Sequence, residues 1–253
     1  MTDTAFVIGT GPSLNKIDMH KLKNYDCVTF NRAYIAFDEW GFIPRYYLAI
    51  DGNDIRSVYK DINKLIKKHR NTDFFILDNE YHNSIHPETS FQDNEKKESL
   101  FDWSESNLYR IQSVPSGFFT SAKKTDKSIQ LPVHLPNAGW MGVELLYALG
   151  YKKIGFVGCD SRYKDDSESN VDITAEGREY ISHADTDINH FRSDYFGKGV
   201  HFGKPNADEI VSIWRKGAGC IPKDLEMFSC TPGSAVNPWY NYRDFDGFFN
   251  ERS

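Results

Sequence analysis

Short apolar runs alternate along the chain with longer segments in which apolar residues recur at helical spacing. Runs that are apolar throughout are typical of strands buried on both faces of a sheet. These runs predict strands at Ala5–Gly9, Cys27–Asn31, Tyr46–Asp51, Asp73–Leu77 and Lys153–Gly158, with a late strand near Leu225–Ser229.

Three other segments have the periodicity of helices. The first, Ile55–His69, places its apolar residues on one helical face. The second, Trp140–Leu149, ends at Gly150, and the third, Asn206–Lys216, begins just after Pro205. Because strands alternate with helices, the pattern predicts an α/β fold with a mainly parallel, helix-covered sheet.

Two polar stretches do not fit this predicted sheet. Asn79–Leu135 is rich in charge and serine, so we expect an insertion, or a small helical subdomain, beside a single domain spanning residues 1–253. Asp160–Pro205 is crowded with Asp, His, Tyr and Gly, and we expect a lid that carries catalytic groups. A disordered loop is the alternative for both, and it suits residues 79–135 better because Asp160–Pro205 carries aromatic residues and histidines, which disorder does not favour.

The first predicted strand breaks into a turn with very little side-chain bulk, Gly9-Thr10-Gly11-Pro12-Ser13. Glycines let a backbone approach a ligand closely, so the N–H groups of this turn can reach a phosphate or a nucleotide sugar. Ligands of open α/β sheets bind at the carboxyl ends of strands, which is where this turn lies. The alternative is a tight strand-to-helix turn that binds nothing.

Polar residues end several of the other predicted strands. Asn31, Asp51 and Asp160 each follow an apolar run directly. Because the carboxyl ends of parallel strands meet at one edge of a sheet, we expect these residues and the glycine-rich turn to form one site. Each residue taken alone is also typical of a helix cap or a turn.

A further part of the site is predicted at the start of the second helix. Asn137 precedes two small residues there, Ala138 and Gly139. Their small side chains leave room for a ligand at the positive end of the helix. The alternative is that Asn137 is an ordinary N-cap.

The predicted lid holds the residues best suited to acid–base chemistry. His190 and His201 can each take a proton from a sugar hydroxyl near neutral pH. Lys198 and Lys204 can meet phosphate oxygens. The histidines and carboxylates of this stretch match no compact metal-ligand motif, so we predict no metal site.

Composition narrows the class of protein and its environment. The 253 residues carry a formal net charge of −6, which argues against a general nucleic-acid binder. The chain has no signal peptide, no apolar run long enough to span a bilayer, and four cysteines without a CxxC pair. We therefore expect free thiols and a cytoplasmic location, and we leave peripheral contact at the inner membrane face open.

Several of these motifs together resemble a known group of proteins. They are Gly9-Thr10-Gly11-Pro12-Ser13-Leu14, Phe30-Asn31-Arg32, Ala138-Gly139-Trp140-Met141, Leu149-Gly150-Tyr151-Lys152-Lys153-Ile154 and Gly158-Cys159-Asp160. With them the chain resembles the bacterial sialyltransferases of glycosyltransferase family 42 and the related DUF115 proteins, which are similar to the 6-hydroxymethylpterin pyrophosphokinase MptE. Segments 190–199 and 230–234 are more similar to the second group. The resemblance covers most of the chain outside residues 79–135.

The resemblance implies a single Rossmann-like domain of the GT-A-variant type. The donor substrate would be a CMP-activated acidic sugar (sialic acid, another nonulosonate or Kdo), the acceptor a surface glycan, and no cofactor or metal would be needed. A homo-oligomer is also implied. The donor contacts that the resemblance implies lie at Thr10, Gly11, Pro12, Ser13, Asn31, Asp51, Ala138, Gly139 and Asp160.

The chain departs from the sialyltransferase pattern at the positions that perform the chemistry. Arg162 stands where a tyrosine that holds the leaving phosphate is expected, although Tyr163 is adjacent. The position of the catalytic histidine falls on Gly203, and the nearest histidine is His201. His190 is the alternative base.

The first of three functional hypotheses is a glycosyltransferase. His201 or His190 would deprotonate the acceptor hydroxyl. Lys198, Arg162 or Tyr163 would stabilise the departing phosphate.

Two other functions are compatible with these residues. A pterin pyrophosphokinase would bind ATP and Mg²⁺ at carboxylates such as Asp160, Asp165 and Asp166. A protein that binds a nucleotide sugar without catalysis is the third hypothesis.

Overall fold

A parallel sheet lies at the centre of the fold. The computed structural model describes residues 3–50, 52–77, 100–114, 117–119, 124–132, 137–163, 171–173, 179–183, 185–203 and 206–250. Within these residues the sheet has nine strands: β1 (Thr4–Ile8), β2 (Asp26–Phe30), β3 (Tyr46–Ala49), β4 (Asp73–Leu77), β5 (Leu108–Ser113), β6 (Ser128–Leu131), β7 (Lys153–Val157), β11 (Glu226–Ser229) and β12 (Asn241–Tyr242). Their order is β12-β11-β7-β1-β2-β3-β4-β5-β6, and every neighbouring pair is parallel.

Helices join the strands and cover the sheet. The described α-helices are α1 (Phe37–Trp40), α2 (Gly52–Lys68), α3 (Ala138–Ala148), α4 (Ala207–Ala218) and α5 (Phe245–Asn250). Short 3-10 helices occupy Pro12–Lys16, Met19–Asn24, Asn31–Ala36 and Asn237–Trp239. Strands β1 and β3 are buried at every residue, so both faces of the sheet are covered, as parallel sheets require. Every helix in the described part of the chain is too short or too polar to cross a bilayer.

A cluster of large rings fixes α3 and α4 against the sheet. Trp140 of α3 and Trp214 of α4 are fully buried, and their ring centroids lie 5.3 Å apart, edge to face. The Trp214 ring also packs on Phe156 of β7 at 4.8 Å. A Cβ added at Gly217 would lie 2.1 Å from the Trp140 ring, so this position needs glycine. The cluster thereby places the N-terminus of α3 beside the end of β7.

A second, smaller sheet lies in the predicted lid. It consists of β8 (Val171–Ile173), β9 (Glu179–Ser182) and β10 (His201–Gly203), in the antiparallel order β10-β9-β8. Strand β10 lies against α2. This sheet therefore contacts the main body of the protein on the side of α2.

The connection between β6 and β7 reverses the direction in which the sheet grows. From β1 the chain builds outward through β2 to β6, and it then returns to place β7 on the other side of β1. In open α/β sheets, ligands bind at the carboxyl ends of the strands beside such a switch point. The fold therefore places its candidate ligand site at the carboxyl ends of β1 and β7, near Gly9 and Asp160.

The α/β prediction and its mainly parallel sheet are confirmed, since all six predicted strands and all three predicted helices occur within a few residues of their expected bounds. The expectation that residues 79–135 lie outside the sheet is wrong for two segments, β5 and β6, which extend it. They are the last two strands on this side of the sheet, and polar residues such as Arg110 and Gln112 of β5 interrupt the apolar pattern.

Candidate functional site

The glycine-rich turn after β1 fits tightly against the loop after β7. The Gly9 and Gly11 N–H groups donate to the carbonyl oxygens of Val157 and Gly158, each at 2.8 Å. A Cβ on Gly9 would lie 2.3 Å from the Gly158 oxygen. These glycines therefore allow two backbone segments to approach each other, and their N–H groups are not directed at a ligand. The prediction that the N–H groups of this turn reach a phosphate is therefore wrong for Gly9 and Gly11.

Asp160 fastens this turn from the other side of the switch point. Its Oδ2 accepts a hydrogen bond from the Ser13 hydroxyl at 2.6 Å and a longer one from the Ser13 N–H at 3.4 Å. A Cβ on Gly11 would lie 1.9 Å from the same Oδ2, so the carboxylate requires glycine there. Within the described residues Oδ1 has no hydrogen-bond partner. One carboxylate oxygen thus holds the turn, and no described residue hydrogen-bonds to the other.

The loop after β11 supports Asp160 in turn. The Thr231 hydroxyl oxygen accepts from the Cys159 N–H at 3.3 Å, and the Ser234 hydroxyl donates to the Cys159 carbonyl at 2.6 Å. The Ala235 N–H donates to the Asp160 carbonyl at 3.0 Å. Three strands, β1, β7 and β11, therefore contribute to the rigidity of this corner.

Two residues beside the candidate site adopt a backbone conformation that is rare outside glycine. Asn31, directly after β2, has φ 53°, and Ser161, four residues after β7 ends at Val157, has φ 52°. The Tyr47 hydroxyl donates to the Asn31 carbonyl and holds it in place. Because such strained residues cluster at ligand sites, their position on the two strands that flank β1 supports a site there.

Residues 185–199, which we name the lid segment, are hydrogen-bonded to the glycine-rich turn. The Phe191 N–H donates to the Thr10 carbonyl at 3.0 Å, and the Asn15 side-chain amide donates to the Phe191 carbonyl at 2.8 Å. The Tyr195 hydroxyl accepts from the Arg32 N–H at 3.2 Å. The lid segment therefore meets the ends of both β1 and β2.

A histidine–carboxylate pair lies in the lid segment. His190 Nδ1 is 2.8 Å from Asp187 Oδ2, and the two side chains are 9% and 7% exposed. Asp187 Oδ1 accepts the N–H groups of Asn189 and His190, at 2.8 and 3.2 Å. Because a carboxylate only accepts, Nδ1 carries a proton, and in the neutral form of the imidazole Nε2 then holds a free electron pair. The arrangement is that of a general base with its orienting carboxylate.

Aromatic rings fix the His190 imidazole. Tyr195 stacks on it with centroids 4.1 Å apart and an interplanar angle of 4°, and Phe196 meets it edge to face at 4.9 Å. The Tyr163 ring, from the loop after β7, lies 6.4 Å away. The structure thus brings Tyr163 and His190 together, as two of the predicted catalytic residues.

The other predicted catalytic residues are less closely placed. Arg162 and Lys198 have exposed side chains. The His201 backbone lies in β10, where it pairs with Ile181, and its side chain lies outside what the structure describes. The predicted substrate residue Asp51 also lies outside the described residues.

The start of α3 is a packed cap. The Asn137 side chain accepts from the Trp140 N–H at 3.0 Å and donates to the Ile210 carbonyl at 3.5 Å. A Cβ at Gly139 would lie 3.2 Å from Asn137 Oδ1 and 3.3 Å from the Trp214 ring. The expectation that Ala138 and Gly139 leave room for a ligand is wrong at Gly139, because neighbouring side chains already fill that space.

The cysteines contribute packing to this region. Cys27, Cys159, Cys220 and Cys230 are all free thiols, and the first, second and fourth are buried. Burial raises the pKa of Cys159, which directly precedes Asp160, well above its usual range. The thiol therefore stays protonated at neutral pH and is no nucleophile. Within the described residues, no group of three or more His, Cys, Asp or Glu side chains could hold a metal ion.

The fold and these polar strand ends define a Rossmann-like α/β protein with a candidate ligand site at its topological switch point. The chain belongs to the 6-hydroxymethylpterin diphosphokinase MptE-like family, whose model matches residues 2–166. This confirms the resemblance to the DUF115 and MptE group. The match spans β1 to β7 and ends before the lid segment.

Two solved structures are similar in fold. The MAf glycosyltransferase from Magnetospirillum magneticum AMB-1 has a TM-score of 0.50 and 12% identity, over 99% of this chain and 36% of its own. The sialyltransferase CstII from Campylobacter jejuni, in complex with the substrate analogue cytidine-5'-monophosphate, has a TM-score of 0.40 and 14% identity, over 94% of this chain and 84% of its own. This chain therefore spans about a third of the MAf chain. No protein of curated function matches the sequence.

Proposed function

We propose that the protein is a glycosyltransferase that uses a CMP-activated acidic sugar. The observation that carries this proposal is the Asp187–His190 pair, which the lid segment holds beside the glycine-rich turn. The MAf protein, whose fold is similar over nearly the whole of this chain, is described as a glycosyltransferase. The resemblance of the turn and strand-end motifs to the sialyltransferases suggests the CMP donor.

His190 is the base in this proposal. Its Nε2 takes the proton of the acceptor hydroxyl while that oxygen forms a bond to the anomeric carbon of the donor. The bond between the anomeric carbon and the phosphate oxygen breaks, and CMP leaves with the electron pair. Asp187 stabilises the imidazolium that results, because its Oδ2 accepts a hydrogen bond from Nδ1, 2.8 Å away. No cofactor or metal is required by these steps.

The leaving phosphate needs positive charge or hydrogen-bond donors. Tyr163 is the best placed donor, since its ring lies 6.4 Å from that of His190. Arg162 and Lys198 are exposed, so each can turn toward a bound phosphate. Asp160 Oδ1 can accept a ribose hydroxyl. The acceptor is proposed to be a surface glycan, made on the cytoplasmic side where free thiols persist.

The test compares histidine variants in the release of CMP from CMP-N-acetylneuraminate and from CMP-Kdo, with a lactoside or water as acceptor. We expect His190→Ala to lower kcat by about a hundredfold or more, the usual contribution of a general base, and to leave the Kd of CMP within about twofold. His183→Ala is the matched control, since His183 also pairs with a carboxylate, Asp172, but in an exposed position. It should keep its kcat.

The outcomes separate the remaining hypotheses. A His190→Ala variant with unchanged kcat, beside a His201→Ala variant that is inactive, would transfer the role of base to His201. Binding of CMP without turnover of either donor by the wild-type protein would indicate a nucleotide-sugar binder without catalysis.

A second function is favoured by the family match. The model of the 6-hydroxymethylpterin diphosphokinase MptE-like family covers the turn, β1 to β7 and Asp160. A diphosphokinase would transfer a diphosphate group from ATP, with Mg²⁺, to the hydroxymethyl oxygen of a pterin and release AMP. Formation of AMP that depends on both the pterin and Mg²⁺ would establish this activity in place of the first.

A further inference from the structure

Arg32 lies at the carboxyl end of β2, beside the candidate site. It follows Asn31 and belongs to the 3-10 helix Asn31–Ala36. Its N–H donates to the Tyr195 hydroxyl at 3.2 Å, and the Tyr195 ring stacks on His190. The same tyrosine therefore contacts the backbone of Arg32 and the proposed base.

One nitrogen of the Arg32 guanidinium lacks a partner among the described residues. Its Nε is buried and, among the residues that the structure describes, it has no hydrogen-bond partner. A buried donor is normally satisfied, and an unsatisfied charged one is costly, so such a group is retained where a ligand completes it. The side chain is half-buried as a whole.

Two described carboxylates near Arg32 accept hydrogen bonds from other groups. Both oxygens of Asp194 accept from Arg192, at 2.7 and 2.8 Å. Asp61 accepts from Lys64 at 2.9 Å and from the Tyr34 hydroxyl at 3.2 Å. Neither of these two described acids is therefore a hydrogen-bond partner of Arg32.

The charge of Arg32 affects the pKa values of these two acids, so it lies close to both. The hydrogen bonds from Arg192 are the main reason that the pKa of Asp194 is lowered, and the charge of Arg32 contributes less. The pKa of Asp61 is lowered chiefly by its hydrogen bond from Lys64, again with a smaller contribution from Arg32. Arg32 is thus near both acids without a hydrogen bond to either, between α2 and the lid segment.

We propose that Arg32 binds an anionic group of the substrate, a phosphate or a carboxylate, beside His190. This inference rests on the proposed function, because it places the acidic donor sugar or its phosphate in the same site. A guanidinium presents two parallel N–H donors that match the oxygens of either group, and a lysine at the same position cannot reproduce that geometry.

The experiment measures by calorimetry the Kd of cytidine, CMP, CMP-N-acetylneuraminate and inorganic pyrophosphate for the wild-type protein, Arg32→Gln and Arg32→Lys. Arg70→Gln is the matched control, since Arg70 pairs with Glu105. Arg70 lies just before β4, at the amino ends of the strands, whereas Arg32 follows β2 at the carboxyl ends. Thermal melting verifies that each variant is folded. If Arg32→Gln does not fold, Arg32→Lys, which keeps the charge, takes its place.

If the anion is the phosphate, we expect Arg32→Gln to raise the Kd of CMP by about tenfold or more and that of cytidine by less than about twofold. If the anion is the carboxylate, only the Kd of CMP-N-acetylneuraminate rises. Arg32→Lys should fall between the wild-type protein and Arg32→Gln, and Arg70→Gln should match the wild-type protein. Unchanged affinities for all four ligands in Arg32→Gln, or no binding of any of them by the wild-type protein, would overturn the proposal.

One further result separates this proposal from the proposed function. If the wild-type protein binds pyrophosphate but no cytidine compound, and Arg32→Gln loses pyrophosphate, then Arg32 is an anion-binding residue and the CMP donor is wrong.

Discussion

Glu144 gives the sharpest test of the packing around α3. Its side chain is buried, with the residue only 2% exposed. The Trp140 indole N–H donates to it at 3.0 Å, and the Phe119 N–H donates to its two oxygens at 3.0 and 3.1 Å. Burial raises the pKa of the carboxyl from 4.5 to about 7, and these hydrogen bonds only partly oppose the effect. The fold therefore favours the protonated form.

The sign and size of the effect on stability follow from this pKa. Between pH 4.5 and 7 the folded protein retains a proton that the unfolded chain has released, so the free energy of unfolding falls as the pH rises. The contribution is fully present below pH 4.5 and is lost above pH 7. From pH 5 to pH 8 the loss amounts to roughly 2.5 kcal/mol.

The assay is urea unfolding of the wild-type protein and Glu144→Gln at several pH values from 5 to 8. Glutamine keeps an oxygen that accepts from Trp140 and Phe119 but does not titrate. The stability of the wild-type protein relative to the variant should fall by roughly 2.5 kcal/mol across this range, because other titrating groups are common to both proteins. Parallel curves for the two proteins would refute the assignment of a raised pKa to Glu144.

Two further substitutions test the corners of the site. Gly11→Ala should destabilise the protein by about 1–3 kcal/mol and weaken nucleotide binding, because its Cβ would lie 1.9 Å from Asp160 Oδ2. In urea unfolding the control Gly197→Ala, whose Cβ has 3.8 Å to its nearest neighbour, should stay near wild-type, and equal effects of the two would refute the reasoning. Asn137→Ala should cost about 1 kcal/mol through loss of the N-cap of α3, and it should leave the Kd of CMP unchanged in calorimetry, since its side chain is occupied within the protein. A large loss of CMP affinity with normal stability would instead make Asn137 a ligand residue.

The central strands could be predicted because strands buried on both faces are apolar throughout. The bounds of Asp73–Leu77 agree with the prediction at both ends, and those of β1, β2 and β7 differ by one residue at the ends. Strands β5 and β6, the last two on one side of the sheet, escaped prediction because polar residues interrupt their apolar pattern. The short strands β8 to β10 pair only with one another in the lid, and their sequences have no apolar run that marks them.

The ends of the central strands were predictable, and the contacts made there were not. The position of Asp160 after an apolar run shows that it ends a strand, but its bond to Ser13 joins residues 147 positions apart. The glycines of the turn suggested N–H groups free for a phosphate, whereas the structure uses those of Gly9 and Gly11 to bind the neighbouring loop. That Arg32 Nε has no hydrogen-bond partner among the described residues depends on contacts in space, which the order of residues does not show.

The central claim is that the candidate site at the carboxyl ends of β1 and β7 binds a cytidine nucleotide, and thermal melting with CMP, CDP, ATP and GTP, each with and without Mg²⁺, tests it most directly. CMP at a hundred times its Kd stabilises the folded state by about 2.7 kcal/mol, which raises the melting temperature by roughly 5–10 °C for a domain of this size. We expect this shift with CMP and CDP, with or without Mg²⁺, and little shift with ATP or GTP. A shift with ATP and Mg²⁺ and none with CMP would contradict the claim and favour the diphosphokinase.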